Sequence, residues 1–116
     1  MTDDDVTIWF NQSCSKCESA LEVLHGRGID PNVVEYLEQP PTADEIRDVL
    51  GKLGLGPRDL VRKSEPLYAE LGLDDAADDE LIDAMAANPI LIERPVVVKG
   101  SRAVIGRPPE RVVDVL

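Results

Sequence analysis

Val6-Thr7-Ile8-Trp9-Phe10-Asn11-Gln12-Ser13-Cys14-Ser15-Lys16-Cys17 is the stretch on which the fold turns. Val6 to Phe10 is β-branched and aromatic, the composition of a short buried strand. Asn11-Gln12-Ser13 is turn-like. From Ser15 to His25 the pattern becomes helical, with Ala20, Leu21, Val23 and Leu24 as an apolar stripe that Gly26 and Gly28 close. A strand, a tight turn and a helix thus follow in order, with Cys14 at the joint.

Asn32-Val33-Val34-Glu35-Tyr36 reads as a second strand, and the short crossover makes the two strands parallel. Pro40 and Pro41 break the chain. Thr42 and Glu45 then form a capping box, opening a helix that runs to about Leu53 and stops at Gly54 and Gly56. Asp59 to Lys63 reads as a short helical turn and Pro66 to Leu71 as a helix closed by Gly72. Asp74 to Asp79 reads as an acidic loop, and Glu80 to Ala86 as a helix ended by Asn88-Pro89. Strand signals return at Pro95 to Lys99 and at Arg102 to Ile105, joined by Gly100-Ser101 as an antiparallel hairpin. Glu110 to Leu116 reads as a last short helix. The order predicts one α/β domain over residues 1–116: a thioredoxin-like four-stranded mixed sheet. A helical insertion at about 42–92 parts its βαβ half from its ββα half.

Bulk properties narrow the function. The chain has 116 residues, enough for one core. Its formal net charge is −11, a field that repels a polyphosphate backbone, so no nucleic-acid partner is expected. No apolar run approaches the roughly 20 residues of a membrane helix. Met1-Thr2-Asp3-Asp4-Asp5 is acidic, without the apolar core of a signal sequence. A cytoplasmic, monomeric protein is expected. In that reducing compartment Cys14 and Cys17 are not expected to form a permanent staple.

Cys14-Ser15-Lys16-Cys17 is a Cys-x-x-Cys element between strand and helix. Free N–H groups and the dipole at a helix start favour an anion, so a thiol at Cys14 becomes a nucleophile near neutral pH. Cys17, one turn on, is near enough to close a disulfide. A structural zinc site needs two more Cys or His ligands, and His25 at the far end of the helix is the one histidine, so no metal is expected. His25 reads as a helix-end residue that complements the dipole.

Three arginines stand out in the C-terminal half: Arg62 in Leu60-Val61-Arg62-Lys63, Arg94 directly before Pro95, and Arg107 before Pro108. With them the sequence resembles the glutaredoxin-coupled arsenate reductases over nearly its whole length. Asn11-x-x-Cys14 resembles the catalytic loop of that family, and Tyr36-Leu37-Glu38-Gln39-Pro40-Pro41-Thr42 its second strand and following loop. Leu60 to Tyr68 resembles its central Arg-Lys segment. Leu81-Ile82-Asp83-Ala84-Met85 with Asn88-Pro89-Ile90-Leu91-Ile92-Glu93-Arg94-Pro95 is the most specific stretch, and Arg107-Pro108 completes the pattern.

The resemblance implies that Cys14 is the nucleophile. It implies that Arg62, Arg94 and Arg107, with Asn11 of the loop, hold an oxyanion such as arsenate. It also implies a cis bond between Arg94 and Pro95, with Pro95 beside Cys14. No bound cofactor is implied. Glutathione or another thiol would be the reductant, with glutaredoxin or thioredoxin as electron donor. Where the family often has Ser or Thr, this chain has Cys17, which permits an internal disulfide. Where the family often has His and Pro before the cysteine, it has Phe10 and Gln12. Two other functions share these residues: general thiol–disulfide exchange without arsenate turnover, and a redox-sensing regulator resembling the Spx transcription factors. Arg107 and the absence of residues after Leu116 count against the regulator.

Overall fold

The computed structural model describes residues 3–116 of the chain. The reading of Met1-to-Asp5 as an acidic start therefore lies partly outside the described residues. The chain divides into two compact units, residues 1–39 with 94–116, and residues 40–93.

The first unit holds a four-stranded sheet. Strands β1 (Asp3–Phe10), β2 (Pro31–Glu35), β3 (Val96–Lys99) and β4 (Arg102–Ile105) lie in the order β2-β1-β3-β4. The β1–β2 pair is parallel and the β1–β3 and β3–β4 pairs antiparallel, which is the expected mixed sheet. Helix α1 (Ser15–Gly26) crosses from β1 to β2. Its Ala20 and Leu24 are buried with Val6, Ile8, Val97, Val104, Val112 and Val115 in one apolar cluster. Burying such side chains is the main favourable term holding the unit together, at about 1.5–3 kcal/mol for each Val, Leu or Ile and less for Ala20. The C-terminal segment Pro109–Val115 is a 3₁₀ helix and lies against α1 and β4.

The second unit is helical: α2 (Ala43–Leu53), α3 (Pro57–Leu60), α4 (Pro66–Glu70) and α5 (Asp78–Ala87), with 3₁₀ turns at Leu73–Asp75 and Pro89–Leu91. The capping box of α2 forms as expected. Thr42 Oγ1 accepts the Glu45 N–H at 3.2 Å, and Glu45 Oε1 accepts the Thr42 N–H at 3.1 Å. Ile46, Val49 and Leu50 of α2 and Leu81, Ile82 and Met85 of α5 are buried, and the two helices pack on each other.

The structure corrects two element boundaries. The turn expected at Asp59–Lys63 is α3, which ends at Leu60, because β-branched Val61 leaves the helix to pair with Ile92 across an antiparallel bridge. The acidic loop expected at Asp74–Asp79 is largely ordered. Its first aspartates sit in a 3₁₀ turn, and α5 already begins at Asp78, where Glu80 Oε1 accepts the Ala77 N–H at 3.0 Å. Acidic residues in a first helical turn suit the dipole.

Candidate active site

The joint between β1 and α1 places Cys14 at the N-cap of the helix, with extended backbone (φ −105°, ψ 113°). Its carbonyl accepts the N–H groups of Cys17 at 3.1 Å and Glu18 at 3.2 Å. Asn11 shapes the approach. Its carbonyl accepts the Cys14 N–H at 3.0 Å, and its Oδ1 accepts the Ser13 N–H at 2.9 Å. An Asx turn of this kind holds a loop without regular structure. Gln12 Nε2 donates to Glu35 Oε1, tying the loop to the end of β2. Glu35 and Glu38 line a small cavity with Asn11, Gln12 and Ser13. These carboxylates disfavour an anion on that side of the loop.

Both cysteines are free thiols; Cys14 is 7% exposed and Cys17 is fully buried. Burial, the largest influence on Cys14, acts to raise its pKa. Three hydrogen bonds outweigh it together with the Arg94 charge: from the Cys17 N–H, from the Cys17 thiol and from the Lys16 N–H. The Cys14 thiol is therefore held below its ordinary value of 9.0. Cys17 moves the other way. Burial raises it most. The Asn11 N–H and Arg94 lower it, but the hydrogen bond to Cys14 and the Cys14 charge add to burial, and it is pushed up to about 12. The two thiols are thus pushed apart: Cys17 holds its proton more tightly than a free thiol, and Cys14 gives its proton up more readily than one.

Arg94 and Arg107 come together in the same unit. Arg107 Nε donates to the Arg94 carbonyl at 2.7 Å. Arg94 Nε is buried and has no hydrogen-bond partner among the described residues. The Arg94–Pro95 bond is cis, as the resemblance implies; Arg107–Pro108 is also cis, which was not expected. The Gly106 N–H donates to the Pro95 carbonyl at 2.8 Å.

Arg62 belongs to the helical unit. Its N–H donates to the Leu91 carbonyl at 2.7 Å, and its Nη1 to the Ile90 carbonyl at 3.3 Å. Nη1 also lies 3.6 Å from Glu65 Oε2, a partner that sequence reading did not anticipate. Arg62 Nε, like that of Arg94, is buried without a partner among the described residues. A buried N–H left unmade is costly, so such a group is a natural donor to a ligand. Among the described residues no group of three or more His, Cys, Asp or Glu side chains could hold a metal ion. No helix among them is long and apolar enough to cross a membrane.

A thiol at a helix N-terminus, its pKa lowered in part by the Arg94 charge, in a unit where Arg94 keeps a buried Nε donor without a partner among the described residues, suits a thiol reaction on an oxyanion. Known proteins resemble the chain along nearly its whole length. The arsenate reductase of Neisseria meningitidis serogroup A is 43% identical over 115 residues, covering 97% of this chain and 98% of that protein. YfgD of Escherichia coli K12, an uncharacterised protein, is 46% identical over 114 residues, covering 96% of each. The solved structure of an arsenate reductase from Vibrio cholerae superposes with a TM-score of 0.94 at 45% identity, covering 96% of this chain and 97% of that one. The ArsC family model matches residues 9–115, and over that span, which runs from the strand before Cys14 to the end of the last 3₁₀ helix, this chain belongs to the ArsC family.

Proposed function

We propose that this protein reduces arsenate to arsenite in the cytoplasm, as a monomer and as one functional domain, with Cys14 as nucleophile. Arg62, Arg94 and Arg107 would bind the oxyanion, and Asn11 would hold the loop that presents Cys14. What supports this reading most is the Cys14 thiol at the α1 N-terminus, kept below its ordinary pKa by Cys17, Lys16 and Arg94.

The Cys14 thiolate attacks arsenic, and one arsenate hydroxyl takes up a proton from solvent and leaves as water, so that an S–As(V) bond replaces an As–O bond. The arginine forks and the N–H groups at the helix start neutralise charge on the remaining oxygens. A second thiol then attacks the Cys14 sulfur. An S–S bond forms, the S–As bond breaks, and its electron pair stays on arsenic, which leaves as arsenite. Two thiols have been oxidised and arsenic has gained two electrons.

The second thiol is an external one in the reading we favour, glutathione with glutaredoxin to resolve the mixed disulfide. Cys17, fully buried and pushed up to about 12, is a poor attacking group at neutral pH. Its hydrogen bond to Cys14 nevertheless favours a second route through a Cys14–Cys17 disulfide, reduced by thioredoxin. Once the Cys14 sulfur is bonded to arsenic its charge is gone, and two of the influences that raise Cys17 go with it.

The test is arsenate turnover by wild type, Cys14→Ser and Cys17→Ser, supplied first with glutathione and glutaredoxin and then with thioredoxin. Wild type is expected to turn over with the first supply, Cys14→Ser to be inactive, and Cys17→Ser to retain turnover. No wild-type turnover under either supply sinks the proposal. Loss of turnover in Cys17→Ser with glutaredoxin moves the second thiol to Cys17.

A further inference from the structure

We propose that Glu65 is a positioning residue for Arg62, fixing which donors of the guanidinium are offered to an oxyanion. The inference rests on the proposed role of Arg62 in oxyanion binding.

A guanidinium is a planar fork of five N–H donors, and its orientation decides which pair meets a ligand. In Arg62 one corner is taken. Nη1 donates to the Ile90 carbonyl at 3.3 Å and faces Glu65 Oε2 at 3.6 Å. The main chain around the pair is held too. The Arg62 N–H donates to the Leu91 carbonyl at 2.7 Å, and its carbonyl accepts the Glu65 N–H at 3.1 Å. Glu65 is itself the N-cap residue of α4, with Pro66 fixing the first helical position.

The two side chains are only 16% and 18% exposed, so neither is a freely rotating surface charge. Anchored at Nη1 from two sides, the guanidinium keeps Nε buried and without a partner among the described residues. Nε is one of the two donors a bidentate contact through the Nε edge uses. Glu65 thereby acts on binding through Arg62 without touching the oxyanion. The lone acceptor at Ile90 would leave the plane free to turn about the Nη1 contact.

Steady-state kinetics against arsenate, run beside thermal unfolding, tests this on Glu65→Ala, Glu65→Gln and Arg62→Ala. Glu65→Ala is expected to raise the KM for arsenate roughly three- to fivefold with kcat within about twofold of wild type. Glu65→Gln keeps an oxygen acceptor and is expected to recover most of that loss. A Glu65→Ala KM equal to or below wild type, while Arg62→Ala raises it, overturns the role of Glu65 and leaves that of Arg62 standing. Equal KM increases in the Ala and Gln variants overturn it as well. An unchanged KM in Arg62→Ala removes the underlying reading of Arg62 itself. Should Glu65→Ala lose its cooperative unfolding transition, Glu65→Asp, whose carboxylate falls one methylene short, takes its place under the same criteria.

Discussion

The Nε–H of Arg107 donates to the backbone carbonyl of Arg94 across 2.7 Å. One proposed oxyanion ligand is thus aimed by the main chain of another. Lysine at 107 keeps the charge but has no Nε donor at that depth and no planar fork. Arg107→Lys is therefore expected to raise the KM for arsenate about tenfold, and Arg107→Ala by more. Arsenate saturation curves measure both. A lysine variant indistinguishable from wild type would reduce Arg107 to a point charge.

The Cys14 thiol should also report its surroundings directly. Burial raises it, but hydrogen bonds from Cys17 and Lys16 and the Arg94 charge hold it below 9.0. Alkylation by iodoacetamide, followed as a function of pH, should show a midpoint below that value. In Cys17→Ala the thiol donor disappears while the N–H of residue 17 remains, so the midpoint should move upward. A midpoint that stays in place or falls would mean that the Cys17 thiol does not stabilise the Cys14 anion.

Cys17 makes an opposite contribution to stability at alkaline pH. Its folded-state pKa is raised to about 12, with burial as the first cause, against an ordinary 9.0. Between these values the unfolded chain releases a proton that the folded chain keeps, so stability contributed by Cys17 is full below about pH 9 and falls as pH rises toward 12. Denaturant midpoints measured across that window should decline in wild type more steeply than in Cys17→Ala. Parallel curves would place Cys17 outside this linkage.

Much of the fold was legible because its signals are local. Val6 to Phe10 followed by the Ala20–Leu24 stripe identifies a strand–helix joint from neighbouring residues alone, and Thr42 with Glu45 marks a helix start three residues apart. Cys14 at the N-cap follows from that joint. The features that escaped are those made by distant residues. Val61 pairs with Ile92, and nothing in the spacing around Val61 announces a bridge partner 31 positions away (92 minus 61). Glu65 is close to Arg62 in sequence, but an acidic residue three positions from an arginine is common on any exposed helix. Its near-burial is what gives it weight, and burial depends on the whole helical unit. The contact of Gln12 with Glu35 likewise needs the β1–β2 pairing before it can exist. Arg94 and Arg107 could be joined at the outset only by resemblance, since the hairpin between them sets their separation.

Gly106 carries a further consequence of that hairpin. A Cβ built on it would stand 2.9 Å from Pro95 Cγ and 3.0 Å from Val112 Cγ1. A proline ring cannot swing aside, and Val112 is fully buried, so neither neighbour yields cheaply. Gly106→Ala should therefore cost about 1–3 kcal/mol of folding stability, as overpacking of a filled site does. The strain falls where the Gly106 N–H meets the Pro95 carbonyl, one residue from Arg107 and one from Arg94. Arsenate affinity should weaken in the same variant even at temperatures where it remains folded. Chemical denaturation supplies the first quantity and the arsenate KM at low temperature the second. Gly51→Ala is the control, because a Cβ there meets nothing within 4 Å, and alanine in a helix interior is favoured over glycine by roughly 0.5–1 kcal/mol. Wild-type stability in Gly106→Ala would show that Pro95 and Val112 can give way, and the close packing inferred around the Arg94–Pro95 step would have to be abandoned.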